Sequence, residues 1–129
     1  MNEATIAEIP CPADARGPVF EPLDAGRLGR QENVHVAITL PGAIRGNHFH
    51  RHSTETTVVL GPGLVRLREE EAVREVPVPE GRAFRFTIPP GVGHAFKATG
   101  PGPMLIVAFS TAVFDPMNPD RTQDVLFTS

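Results

Sequence analysis

The sequence predicts an all-β domain, a sandwich or barrel of short strands, and three observations carry that expectation. Apolar and polar residues alternate with a period of two in several stretches, turn residues interrupt the chain at short intervals, and almost nothing repeats with a helical period. Twelve Gly and fourteen Pro are scattered through 129 residues without forming a repeat, and a hydrophobic share of 40% is enough for a folded core.

The elements follow in chain order. Residues 1–30 are Pro-rich and irregular in pattern, and read as an arm that lies across the barrel or reaches a second copy; residues 31–129 read as the barrel, one domain overall. Val34, Val36, Ile38 and Leu40 alternate with His35, Ala37 and Thr39, so one strand is expected here. His35 then either lines the cavity or faces solvent, and alternation alone leaves both open. Thr56 to Leu60 is β-branched and is closed by Gly61-Pro62-Gly63, after which Leu64 to Arg68 resumes the strand pattern. Glu69 to Glu75 is the one stretch able to form a helical turn, with Pro77 limiting it, and Glu69 to Glu71 reads as a solvated turn. Arg82 to Ile88 puts Phe84, Phe86 and Ile88 on one face, and Met104 to Ser110 is an almost unbroken apolar run, as in a strand buried on both sides. Phe84, Phe86, Phe96 and Phe109 read as core.

Composition removes several classes of function. Twelve basic residues face fifteen acidic ones, for a net charge of -3, and no Lys/Arg cluster occurs, so nucleic acid is not an expected partner. No apolar run approaches the ~18 residues of a membrane helix. The first ten residues lack the basic and apolar regions of a signal peptide, and Cys11 has no second cysteine to pair with. A cytoplasmic location is the expectation.

Four of the five histidines sit in or beside two short segments. The first runs Gly42-Ala43-Ile44-Arg45-Gly46-Asn47-His48-Phe49-His50-Arg51-His52-Ser53-Thr54-Glu55; the second is Pro89-Pro90-Gly91-Val92-Gly93-His94. Residues two apart on a strand point the same way, so His48 and His50 present two imidazoles to one side. Glu55 follows after a turn, and His94 opens another strand. Three neutral imidazoles and a carboxylate suit a divalent transition metal, Zn, Fe, Mn or Ni, without choosing among them. A hydrogen-bonded cluster filling the barrel without an ion is the structural alternative. His52 is the expected catalytic base, because strand parity groups it with His48 and His50 if the strand runs straight; an exposed strand end is its other reading. Arg45 suits a phosphate or an enolate oxygen, or else a cross-strand ion pair.

These segments resemble the two motifs of the cupin superfamily. Gly42, His48, His50 and Glu55 match the first, with Gly61 closing it one residue early. Pro89, Gly91 and His94 match the second, while Gly81 lies two residues too far upstream and Ala98 stands where Asn is usual. The resemblance implies a double-stranded β-helix, or jelly roll, with a metal inside the barrel. Arg45-Gly46-Asn47-His48-Phe49-His50 together with Phe114-Asp115-Pro116-Met117-Asn118-Pro119-Asp120 is similar to cupins acting on nucleotide-activated sugars. Among these are the C-terminal cupin of capsular-polysaccharide UDP-sugar enzymes and, more distantly, dTDP-sugar ketoisomerases. That narrower resemblance implies a small-molecule substrate, possession of epimerase or isomerase activity, and proton abstraction beside a carbonyl. Such enzymes commonly use a Tyr as the acid, and this chain has none. An iron-dependent dioxygenase and a non-catalytic ligand-binding cupin are the rival expectations. A homodimer is expected from the need to protect exposed strand edges.

Overall fold

A computed structural model describes residues 3–129, among which strands dominate. In chain order they are β1 (Thr5–Ile9), β2 (Ala13–Asp14), β3 (Gly17–Pro18), β4 (Asn33–Thr39), β5 (Ile44–Phe49), β6 (Glu55–Leu60), β7 (Gly63–Glu69), β8 (Ala72–Val78), β9 (Ala83–Ile88), β10 (Gly93–Ala98), β11 (Met104–Ser110) and β12 (Thr122–Gln123). One short helix, α1 (Ala25–Leu28), precedes β4. Two antiparallel five-stranded sheets, in the orders β1-β9-β6-β11-β4 and β12-β5-β10-β7-β8, face each other as a jelly-roll cupin barrel.

Strand pairing shows which side chains enter the barrel, because directly opposed residues share a face. In the first sheet, Phe86 pairs with Thr57, Thr57 with Ala108, and Ala108 with His35. Phe86, Thr57 and Ala108 are buried, so this row faces inward. The next row joins Ile88, Glu55, Ser110 and Asn33. The opposite sheet contributes His94, Phe96, Val65 and Leu67, all buried. One end of the barrel is a continuous apolar core containing Val59, Val65, Phe86, Phe96, Met104 and Ile106. Polar residues at the other end hold the site.

Residues 3–30 are more ordered than their sequence pattern implies. β1 extends the first sheet along β9, with Ile6 opposite Phe86 and Ile9 opposite Ala83. Its alternation spans only five residues and is easily lost among the flanking prolines. Beyond β1, Cys11 and Phe20 pack over Val58 and Leu60 on the outer side of that sheet. α1 also falls in this stretch, capped by the Asp24 carboxylate accepting from the Arg27 N–H. At Glu69–Glu75 the structure makes no helical turn: β7 and β8 form a tight hairpin, with Glu70 at φ 59 and Glu71 exposed.

Candidate functional site

β5 carries the irregularity that builds the site. His48 pairs with His94, yet Gly46 pairs with Ala95, so the register shifts and Asn47 is left as the extra residue of a bulge. Gly46 at φ 87 and Asn47 at φ 59 supply the left-handed backbone that the bulge needs. The extra residue reverses the strand's parity. Arg45, opposite the inward Phe96, therefore shares a face with His48, three positions along. On the outer side Asn47 clamps the C-terminal segment: its Oδ1 accepts from the N–H groups of Leu126 and Phe127 at 2.9 and 3.1 Å, and its Nδ2 donates to the Phe127 carbonyl at 2.9 Å.

His48, His50, Glu55 and His94 converge inside the barrel, their ligand-type atoms all within 4.8 Å of one another. The three imidazole centroids stand 4.8–5.3 Å apart. Backbone carbonyls fix two of the rings. His50 Nδ1–H donates to the Asp120 carbonyl at 2.8 Å, and His94 Nδ1–H donates to the Val92 carbonyl at 3.0 Å. A carbonyl can only accept, so Nδ1 carries a proton in each ring. Both Nε2 atoms face Glu55: His50 Nε2 is hydrogen-bonded to Oε1 at 3.0 Å and His94 Nε2 lies 3.5 Å from Oε2. His94 is fully buried and its Nε2 has no hydrogen-bond partner.

The buried His94 Nε2 calls for a partner, because a buried polar atom left without one is costly. The donor set fits a divalent transition metal. Burial, then the neighbouring His94 and His50 charges, pushes His48 down to about 4. Burial also lowers His94. Glu55 would be raised by its burial, but the His50 hydrogen bond, the His94 charge and the Thr57 hydroxyl at 2.5 Å outweigh this and hold it at about 2. For His50 burial likewise opposes the charged form, and the contacts with Glu55 and Asp120 prevail to raise it.

The cluster opens into a cavity of about 470 Å³. Phe96, Ile106 and Ala108 line it on one side, and the 113–121 loop on the other. Arg45 and Arg121 both line it and also border an adjoining groove past His48. Arg45 is exposed, and its Nε donates to Thr39 Oγ1 at 2.9 Å. Arg121 was not singled out by the sequence; only its place just after the Asn118-Pro119-Asp120 turn hints at it.

His52 does not join the site. β5 ends at Phe49, and the chain then wraps the Asp120 carboxylate, which accepts from the N–H groups of Arg51, His52 and Ser53 at 2.9, 3.0 and 2.9 Å. Ser53 Oγ donates to the same carboxylate at 2.8 Å. Strand parity no longer holds in that turn, and His52 is left exposed and outside the cavity lining. Asp120 thus links two parts of the site: its carboxylate shapes the β5–β6 turn and its carbonyl orients His50. His35 lies on the inward row and lines the cavity while remaining exposed to solvent.

Fold and cluster together define a jelly-roll cupin with three histidines and a glutamate gathered in the barrel. The family profile for the polysaccharide biosynthesis C-terminal domain matches residues 12–122, and the chain belongs to that family. It is similar, at 27% identity over 117 residues, to the UDP-2-acetamido-2,6-beta-L-arabino-hexul-4-ose reductase of Pseudomonas aeruginosa, covering 88% of this chain and 30% of that one. The capsular polysaccharide assembling protein CapF of Staphylococcus aureus superposes with a TM-score of 0.67 at 27% identity, over 91% of this chain and 34% of CapF. This chain therefore spans about a third of the length of either relative. ChmJ, a 3'-monoepimerase from Streptomyces bikiniensis in complex with dTDP-quinovose, shares the fold with a TM-score of 0.73 at 21% identity, over 93% of this chain and 68% of ChmJ.

Proposed function

We propose that the chain holds a divalent transition metal on His48, His50, Glu55 and His94, and acts on a nucleotide-linked keto-sugar as an isomerase or epimerase. The observation that carries this reading is the convergence of four ligand-type atoms within 4.8 Å of one another beside a cavity, with the buried His94 Nε2 left without a hydrogen-bond partner. When bound, the metal would supply Lewis-acid stabilisation of a carbonyl oxygen. The chain's own residues do the rest. Arg45 and Arg121 present two guanidinium groups suited to a diphosphate or to enolate charge. Phe96, Ile106 and Ala108 give the cavity an apolar wall that limits water at the reacting carbon. The P. aeruginosa relative is named for a UDP-linked hexul-4-ose, and ChmJ for epimerisation with a dTDP-sugar bound; both support a keto-sugar nucleotide as the substrate class.

Incubation in D2O with UDP- and dTDP-linked 4-keto sugars is expected to introduce deuterium beside the ketone, read by mass spectrometry. No incorporation with any member of the panel would refute the catalytic reading. The absence of Tyr favours a second reading, a sugar-nucleotide-binding module without turnover. That reading predicts tight binding of the same compounds with no deuterium gain.

We also propose a homodimer formed through β4. This edge strand exposes Val34, Val36, Ile38 and Leu40 by 54–67%, an apolar stripe beside an unpaired sheet edge. Light scattering should give twice the 13.9 kDa chain mass, and Val36→Lys with Ile38→Lys should halve it. A wild-type mass of one chain would refute the dimer.

A further inference from the structure

We infer that His35 is the proton carrier of this site; the inference rests on the keto-sugar reading above. Elimination among the groups lining the cavity leads to His35. Among the described residues that line it there is no Lys or Cys, and the chain contains no Tyr. His50 is hydrogen-bonded to Glu55, and His48 stands with them among the ligands proposed above for the metal. Arg45 and Arg121 are guanidinium groups, which do not give up a proton in proteins. The Asp120 carboxylate already accepts from three backbone N–H groups and a serine hydroxyl. Asp115 is exposed on the loop, its Oδ1 accepting from the Met117 N–H, and solvated carboxylates are weak bases. His35 remains, and histidine is the side chain best suited to exchanging protons near neutral pH.

Its placement suits the task. His35 stands on the inward row with Ala108 and Thr57, two residues along the strands from the row containing Glu55. β11 separates β4 from β6, so His35 and Glu55 lie on strands roughly 10 Å apart, while His48 and His94 come from the opposite sheet, which leaves room for a hexose ring beside the cluster. The ring would then face the cluster with one edge and His35 with another.

The step balances simply. The C–H bond beside the ketone breaks, its electron pair becomes the enolate double bond, and the negative charge passes to the former carbonyl oxygen. The proton goes to the neutral His35 ring. When the carbonyl re-forms, the carbon takes a proton back from His35 if the product forms on the same face. On the opposite face it takes one from water at the cavity mouth, and His35 releases its own to solvent. Arg45 lies on the cavity wall to hold the oxygen's charge meanwhile.

His35→Asn and His35→Gln test this, with the same D2O exchange assay and the same UDP- and dTDP-linked 4-keto sugars. His35 is solvent-exposed on an edge strand, so both variants should melt with wild type. The expected result is an exchange rate at least about 100-fold lower, with metal content and affinity for UDP and dTDP unchanged. Exchange within about threefold of an active wild type would overturn the role of His35 and leave the keto-sugar reading standing. A loss that merely follows weaker nucleotide binding or a lower melting temperature would overturn it too. Wild type inert toward the whole panel would bring down both.

Discussion

His94→Ala is expected to lower metal affinity by about 100- to 1,000-fold while leaving the metal-free protein nearly as stable as wild type. Structural zinc sites bind with roughly 10–16 kcal/mol, so each of four ligands carries about 3–4 kcal/mol. The modest cost to the metal-free fold has a specific reason. His94 is completely buried, and its Nε2 lacks a partner while facing Glu55 at 3.5 Å. Replacing it by alanine opens a cavity but also removes an unsatisfied polar atom, and the two effects oppose each other. The discriminating measurement is a melting curve with and without Zn2+ or Mn2+. A ligand that binds only the folded state raises the melting temperature, so wild type should respond to metal and the variant should not. Equal metal-dependent shifts in the two proteins would contradict the assignment. A collapse of the metal-free variant would show that His94 is a structural residue first.

Gly46→Ala is expected to damage both fold and site, by about 3 kcal/mol or roughly 10 °C in melting temperature. A Cβ there would meet the His94 carbonyl oxygen at 2.7 Å and the Ala95 Cα at 3.1 Å, both in the neighbouring backbone. Neither can swing aside as a side-chain tip would. The backbone at φ 87 adds its own penalty for an L side chain. Relief requires β5 to move away from β10, which separates His48 from His94. Gly42 supplies the control: its φ is 85, but nothing lies within 4 Å of its Cβ position. Gly42→Ala should therefore cost only about 1 kcal/mol and leave metal binding alone. Equal losses at both positions would show that backbone strain, not the close approach to His94, limits Gly46.

The cluster was legible in the sequence because its geometry depends on short-range rules. His48 and His50 are two apart, where strand parity survives, and Glu55 opens the next strand. The β-rich fold was legible for the same reason, since alternation is clear in β4 and β9 and the apolar run is clear in β11. What the sequence obscured depends on events that interrupt a period. The Asn47 bulge turns Arg45 to the side of His48, and straight counting would have separated them. His52 lies apart from His48 and His50 because the strand ends three residues before it, where Asp120, 68 positions away in sequence, captures the turn. Arg121 reaches the cavity through the same loop, and no local pattern announces a contact of that range. β1 was hidden by its own brevity among prolines.

The central claim is that one cation sits among these four side chains, and anomalous X-ray scattering from a crystal of the metal-loaded protein tests it most directly. The predicted result is a single peak about 2.0–2.2 Å from a ring nitrogen of each of His48, His50 and His94 and from a Glu55 oxygen. A map in which the four side chains splay apart around water, with the anomalous signal elsewhere or absent, would contradict it.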